Sequence, residues 1–270
     1  MPEIHFFTIL GYFGAILVGL FLGLIGGGGS ILTVPILVYL FGVSPLLATS
    51  YSLFIVALSS IIGSVNNFKN GLIHPKTSVF FLISSVSAIF FTRKFVLPSI
   101  PEILFQAPVF TLTKDVFILI MFAILMISSA YSMIKKPVFQ ESGDKVIGLK
   151  IPELLLVGAS VGLVTGFVGA GGGFVIVPAL YFIARLEIKQ AIATSLFIIA
   201  VNSTIGFLSD LHHQAMDWNF LLIYSAFAVL GIFFGTFAAK KISSDTLKPI
   251  FGWMVLLMGI FILVKEFFFK

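Results

Sequence analysis

Two glycine-rich runs are the residues of this chain best suited to hold a ligand. Residues 26–29 are four consecutive glycines, and residues 169–173 read Gly-Ala-Gly-Gly-Gly. Glycine permits positive φ, and a helix that begins just after such a run directs free N–H groups and a partial positive charge towards it. The pattern therefore predicts an anion site that needs no basic side chain. The alternative role is close helix packing, which we expect for the earlier glycines Gly19, Gly23, Gly162 and Gly166.

Small hydroxyl residues near the start of a later apolar segment form a second group of candidates. They are Thr49, Ser50 and Ser52 in one half of the chain and Thr194 and Ser195 in the other. A hydroxyl there can bind an oxyanion, or it can cap the helix or bond to the preceding turn. An ungapped frame pairs Ser52 with Ser195, a frame shifted by two pairs Thr49-Ser50 with Thr194-Ser195, and both stay open. Further candidates of the same kind are Ser59, Ser60, Asn202 and Ser203.

Ionisable residues are scarce inside the apolar segments, where they would be functional candidates by default. Arg93 follows one apolar run and precedes another. Its side chain either extends to a membrane interface or lies at the mouth of an anion pathway. A buried carboxylate proton relay has no evident member, because the acidic residues near these segments lie at their ends: Asp115, Glu153, Asp210 and Asp217.

No catalytic residue, metal site or cofactor is predicted. His212 and His213 would diverge on a helix and have no evident third ligand, so we interpret them as loop residues. The absence of cysteine excludes disulfides, thiol catalysis and Cys-based metal sites. The predicted substrate contacts are Gly26, Gly27, Gly28, Gly29, Ser30, Thr49, Ser50, Ser52, Arg93, Gly169, Gly171, Gly172, Gly173, Thr194 and Ser195.

The glycine runs belong to a duplicated segment. Residues 19–63 and 162–206 align without a gap, 143 positions apart, and 18 of the 45 aligned positions are identical. A duplicated, glycine-interrupted apolar segment is the best pointer in a sequence to the binding site of a transporter.

The composition indicates that lipid is the solvent of this chain. It is 59% hydrophobic and 10% charged, against roughly 45–50% and about 25% in soluble domains. The formal net charge is +5, but the basic residues cluster between apolar runs, which is typical of orientation in a membrane and not of nucleic-acid binding.

Ten apolar segments carry the candidates. In the first half they cover residues 6–25, 30–42, 46–66, 75–97 and 115–134, and in the second half 153–169, 173–184, 188–209, 218–239 and 246–268. Residues 98–114 are predicted to be a loop. We divide the chain into a first membrane repeat (1–134), a cytoplasmic linker (135–152) and a second membrane repeat (153–270).

The second segment of each half is short. Residues 30–42 would form about 20 Å of helix, against a hydrocarbon core about 30 Å thick. If both short segments cross, the 16 basic residues divide 11 to 5 between the two sides; if both re-enter, they divide 8 to 8. Only the first division obeys the positive-inside rule.

We therefore predict an all-α, polytopic helical membrane protein with two repeats of five segments each and both termini outside. The alternative is four crossings plus one re-entrant segment per repeat. An odd number of crossings inverts the repeats about an axis in the membrane plane.

These motifs resemble the TauE/SafE family of sulfite exporters. The resemblance rests on the glycine run, then Val34-Pro35 or Val177-Pro178, then Ala-Thr-Ser at 48–50 or 193–195, in two tandem halves. It covers nearly the whole chain and implies a plasma-membrane protein that moves sulfur-containing anions such as sulfite, sulfonates or sulfoacetate. One departure is that the small-residue helix end of the family is kept at Gly235-Thr236-Phe237-Ala238-Ala239 but not at Phe90-Phe91-Thr92-Arg93-Lys94.

We expect a secondary transporter of small, sulfur-containing anions, multi-pass in the bacterial plasma membrane. The alternatives are an anion channel or a transporter of an unrelated small solute. An enzyme is not expected, because no His/Asp/Ser or metal constellation lies at membrane depth. The expected partners are a small anionic substrate and membrane lipid, with no nucleic acid, and a homo-oligomer is compatible with the sequence.

Overall fold

The computed structural model describes residues 2–25, 28–106, 111–134, 151–169, 171–211, 215–239 and 244–268. Helices dominate these ranges. The first half consists of α1 (Pro2–Ile25), a 3₁₀ turn (Gly28–Leu32), α2 (Thr33–Phe41), α3 (Pro45–Lys69), α4 (Pro75–Phe91), a π-helical turn (Thr92–Val96), α5 (Leu97–Ser99) and α6 (Lys114–Ile134). The second half consists of α7 (Ile151–Val168), α8 (Gly173–Phe182), α9 (Ile188–Asp210), α10 (Trp218–Ala238) and α11 (Ser244–Phe268).

The predicted segments match these helices within a few residues, and the prediction of an all-α polytopic protein is confirmed. Eight helices of the described part of the chain are long and apolar enough to cross a membrane. Large apolar side chains such as Phe13, Phe233 and Phe237 are exposed on their surfaces, as expected where lipid replaces water around the protein.

Two boundaries differ from the prediction. Residues 98–114 are not simply a loop, because strands β1 (Ile103–Gln106) and β2 (Thr111–Thr113) pair in an antiparallel hairpin. The β-branched and aromatic residues of these strands favour an extended conformation. The prolines nearby are typical of loops, so the sequence pattern did not indicate strands. Of the predicted linker, residues 135–150 lie outside the described ranges and residues 151–152 already belong to α7. His212 and His213 also lie outside them.

Helices α3 and α9 form the centre of the bundle. Each is 67% buried over its most apolar window, more than any other candidate span. They cross antiparallel, because Gly63 of α3 lies against Leu196 of α9 and Gly206 of α9 lies against Leu53 of α3. We call the end of the bundle that holds the start of α3 and the end of α9 face A, and the opposite end face B. Helices α6 and α11 also pack antiparallel, with Gly252 on Met133 and Gly259 on Met126.

Glycines lie at the contacts of two further helix pairs, α1 with α10 and α7 with α4, and the helices of each pair run parallel. A Cβ on Gly19 or Gly23 of α1 would overlap the backbone of α10, and one on Gly162 of α7 would overlap the Ser85 carbonyl of α4. Gly166 of α7 lies against the side chain of Thr92, just after α4. The packing role predicted for these four glycines is therefore confirmed, and small residues let the helix backbones approach closely.

The short helices α2 and α8 occupy equivalent places. Helix α2 runs back along α1, with Ile36 against Gly14 and Phe41 against Gly11. It ends in a left-handed residue, Gly42 (φ 68°), and the N–H of Val43 donates to Leu37 O at 3.1 Å. This is a Schellman-type end. Helix α8 ends the same way 143 positions later, with Arg185 at φ 52° and the N–H of Leu186 donating to Leu180 O at 3.2 Å.

Matching hydrogen bonds decide the frame of the repeat. The backbone N–H of Asp217, which caps α10, donates to the Tyr51 hydroxyl at 2.8 Å. The backbone N–H of His74, which caps α4, donates to Thr194 Oγ1 at 3.0 Å. The acceptor Thr194 comes 143 positions after the acceptor Tyr51, and the donor His74 comes 143 positions before the donor Asp217. The ungapped frame is therefore correct, and Ser52 pairs with Ser195.

Candidate functional site

The second glycine run breaks the chain between α7 and α8. Gly169, Gly171 and Gly172 have φ of 70°, 65° and 70°, a left-handed conformation that side chains other than glycine rarely adopt. Gly172 precedes α8 and Gly173 is its first residue. Because the first N–H groups of a helix have no partner within it, they point back into the break. In the second half of the chain, a helix therefore begins directly after the glycine run, as the sequence predicts.

The break lies deep in the bundle, where α3 and α9 cross. A Cβ on Gly171 would lie 3.0 Å from Ser203 Oγ, 3.0 Å from Ile199 Cγ2 and 3.1 Å from Val56 Cγ1. These neighbours are near the middle of their helices. Gly169 lies nearer face A, where its Cβ would lie 2.6 Å from Thr49 Cβ. The backbone of the run therefore passes close to both central helices: a side chain at 169 would overlap α3, and one at 171 would require Ser203, Ile199 and Val56 to move.

The first glycine run differs from the second. Gly26 and Gly27 lie outside the described residues, and a 3₁₀ turn that includes Gly28, Gly29 and Ser30 separates the run from α2. Gly29 packs on α1 between Val18 and Leu22, and Ser30 is buried. This 3₁₀ turn packs against α8. The two breaks are therefore neighbours in the fold, although they are 143 positions apart in sequence.

The predicted hydroxyl residues do not converge on one point. Thr49, Ser50 and Ser52 lie near face A, whereas Thr194 and Ser195 lie near face B, because α3 and α9 are antiparallel. Thr49 Oγ1 donates to Leu46 O and Ser195 Oγ donates to Ile192 O, each at 2.8 Å. These bonds to the preceding turn follow the capping alternative. Ser52 Oγ is buried and has no protein partner among the described residues.

Four buried polar side chains lie between the two ends, near the middle of α3 and α9. They are Ser59 and Ser60 of α3 and Asn202 and Ser203 of α9, and none is more than 1% exposed. Ser85 Oγ of α4 donates to Asn202 Oδ1 at 2.9 Å. The Asn202 amide nitrogen and the hydroxyls of Ser59, Ser60 and Ser203 have no protein partner within the described ranges. Unpaired buried polar groups are costly and call for a functional explanation.

Arg93 lies in the interior near face A and does not extend to an interface. It belongs to the π-helical turn that follows α4, and its side chain is completely buried. Such turns are rare and often occur at functional sites. One terminal nitrogen (Nη1) forms an ion pair with Asp210 Oδ2, and Ser50 Oγ donates to the same carboxylate oxygen. Nε and Nη2 have no protein partner among the described residues.

Asp210 is the functional candidate that the sequence reasoning passed over. It is the last residue of α9, as expected for a segment end, but it is only 4% exposed because the π-helical turn and α3 cover it. The position of Asp210 at the end of a segment suggested exposure. Ser50, Arg93 and Asp210 meet from three elements that are far apart in sequence, so no local pattern could show the contact.

These features define a polytopic helical membrane protein with two adjacent helix breaks and a buried polar interior. The family model described as "Sulfite exporter TauE/SafE" matches residues 12–262. The chain belongs to the TauE/SafE family, and it is a multi-pass cell-membrane protein of a transporter family.

Similar proteins carry the same coarse description. The chain is 29% identical over 257 residues to a "Probable membrane transporter protein" of Xylella fastidiosa (strain 9a5c), a match that covers 93% of this chain and 92% of the relative. It is 27% identical over 269 residues to "Probable membrane transporter protein MJ0441" of Methanocaldococcus jannaschii, covering 92% and 94%. No solved structure matches the chain.

Proposed function

We propose that this chain is a secondary transporter of small oxyanions, with sulfur-containing anions such as sulfite and sulfonates as the substrate class. The observation that carries the proposal is the contact of the Gly171 break with Ser203 at the crossing of α3 and α9. There the N-terminus of α8 lies next to the buried Ser203 hydroxyl, which has no protein partner among the described residues. The family name and the names of the relatives support transport, and the chemistry of the break supports an anion.

The proposed site suits a tetrahedral or pyramidal oxyanion. Such an anion has several acceptor oxygens, and backbone N–H groups at a helix start together with serine hydroxyls supply neutral donors for them. A full charge at the centre would hold the anion too tightly for release. Arg93 lies towards face A, next to Thr92, the residue that Gly166 contacts. We assign Arg93 to the pathway between face A and the central site.

We also propose that the two halves are inverted repeats and that the substrate moves by alternating access between them. Equivalent helices pack on each other antiparallel, α3 on α9 and α6 on α11. A two-fold axis along the membrane normal would make equivalent helices parallel, so their antiparallel packing favours an axis in the membrane plane. A site at the crossing of α3 and α9 would lie on such an axis and could open to either face.

Substitution of Gly171 by alanine tests the proposed site. We expect purified wild-type protein in liposomes to take up radiolabelled sulfite or methanesulfonate down a gradient. Gly171→Ala should reduce the initial rate at least tenfold, because the new Cβ fills the space beside Ser203 and forces a left-handed residue. Gly42→Ala is the matched control: Gly42 has almost the same φ, but nothing lies within 4 Å of its Cβ position.

The control separates loss of the site from strain in the backbone. If Gly42→Ala is as inactive as Gly171→Ala at equal protein content, backbone strain explains the loss and the site is misplaced. If wild-type protein moves neither anion, the proposed substrate class is wrong. Uptake that saturates and is accelerated by the same anion on the opposite side identifies a transporter, whereas unitary currents across a planar bilayer identify a channel.

A further inference from the structure

The buried pair of Arg93 and Asp210 is electrically neutral as a unit. The Arg93 side chain is 0% exposed and that of Asp210 is 6% exposed. Two of the guanidinium nitrogens of Arg93 have no protein partner in the described part of the chain. The guanidinium can therefore accept a second anionic ligand without first breaking a protein contact at those nitrogens, and its planar, forked donors suit an oxyanion.

Adding an anion to this pair would leave one uncompensated negative charge in the protein interior. A buried, unpaired charge is strongly unfavourable. Neutrality returns if Asp210 takes up one proton as the anion binds. The carboxylate lies at the last residue of α9 and retains slight exposure, so a proton can reach it from face A.

We propose that Asp210 carries the proton of a proton–anion symport, in which the Asp210 carboxylate and the transported anion alternate as the counter-ion of Arg93. A proton from solution binds Asp210 Oδ2 as the anion binds the Arg93 guanidinium. After the rearrangement that opens the pathway to face B, the anion leaves Arg93 towards face B, Asp210 releases its proton to the same face, and the ion pair re-forms, so that one proton crosses with each anion. This inference rests on the proposed function, and it adds the coupling ion and the residue that carries it.

No other described charged group is placed to take this role. Lys94 is exposed, and its ammonium lies 5.0 Å from the centre of the Phe90 ring. Asp115 accepts the N–H of Leu46 at the start of α3, and Lys114 precedes it on α6. Asp217 accepts the N–H of Phe220 as the cap of α10. The described residues of α3 and α8 bring no charged side chain to Asp210, since Lys69 lies at the face B end of α3.

The test compares the voltage dependence of anion uptake in wild-type protein and Asp210→Asn. Proteoliposomes are clamped with valinomycin and potassium, and uptake of methanesulfonate and of bisulfite is measured. One proton moving with one monovalent anion carries no net charge, so the wild-type rate should change less than twofold at inside-positive voltage. Asp210→Asn should carry the anion alone, and its rate should rise severalfold. Asp217→Asn, which keeps the helix cap, should behave as wild type.

The outcomes separate the two proposals. If wild-type protein moves neither anion, the proposed function falls and this inference falls with it. If wild-type uptake occurs but rises severalfold with voltage, the function stands and symport is overturned. If Asp210→Asn remains electroneutral, Asp210 is not the proton carrier. Should Asp210→Asn fail to fold, Arg93→Thr/Asp210→Asn removes both charges, and retained proton coupling in that variant would overturn the inference equally.

Discussion

The two ends of the bundle have the same scaffold and different chemistry. At face A, Arg93 bonds across helices to Asp210, and Ser50 donates to the same carboxylate. The equivalent positions at face B, offset by 143 residues, are Thr236, Asn67 and Ala193. No charge is present among them. Thr236 Oγ1 donates to Ile232 O at 2.9 Å and Asn67 Nδ2 donates to Gly63 O at 3.4 Å, so each polar side chain bonds to its own helix.

The comparison of the two ends shows that duplication preserved the helix packing and not the electrostatics. The helix ends at 42 and 185 and the cap contacts at 51 and 194 recur in both halves, because they depend on backbone geometry. The ion pair depends on three side chains and occurs at one end only. Under the proposed alternating access, an ion pair at face A without a counterpart at face B makes the two end states unequal in energy.

The largest expected effect comes from labelling the two equivalent helix ends. Because the chain has no cysteine, Gly42→Cys and Arg185→Cys are each single-cysteine proteins, and both positions are exposed. If the halves are inverted, a membrane-impermeant thiol reagent should label Gly42→Cys in intact cells and Arg185→Cys only after permeabilisation. If both single-cysteine proteins are labelled equally in intact cells, the ends of α2 and α8 lie on the same side of the membrane and the repeats are not inverted.

The next effect compares the buried cation with its neutral equivalent. Arg93→Met leaves the buried Asp210 carboxylate without its cationic partner, which should lower the free energy of unfolding by about 3–5 kcal/mol. Thr236→Val removes only a hydroxyl that bonds to its own helix, and we expect about 1 kcal/mol or less. Unfolding of the detergent-solubilised proteins measures both. Equal losses would show that the ion pair does not distinguish the two ends.

The smallest effect tests the contacts that the halves share. Tyr51→Phe removes the hydroxyl that accepts the Asp217 N–H, and Thr194→Val removes the one that accepts the His74 N–H. Each change leaves a partly buried donor without its acceptor and should cost about 0.5–1.5 kcal/mol. The two losses should be similar and should add within about 0.5 kcal/mol in the double variant, since the sites are far apart. Strong non-additivity would contradict two independent copies of one contact.

Most of the helical architecture was predictable because it follows from local patterns. Apolar runs bounded by Pro45, Pro75 and the glycine runs predict helices whose limits the structure keeps. The paired strands at residues 103–106 and 111–113 were missed because short strands between prolines leave little periodicity. The candidate site was predicted in part: Gly171 and Arg93 lie in the interior, but Thr194 and Ser195 lie far from Thr49, because the antiparallel crossing of α3 and α9 separates equivalent residues.

The amino-acid sequence is enough to identify a duplicated, lipid-embedded helical protein with two glycine breaks. Composition, apolar length and the 143-residue offset are properties of the chain alone. Which polar residues meet depends on the packing of the helices. Asp210 is at the end of its helix in sequence, yet it is buried because the π-helical turn carrying Arg93 and the start of α3 close over it. Burial and ion pairing depend on neighbours that are distant along the chain, and only the packing of the helices brings those neighbours together.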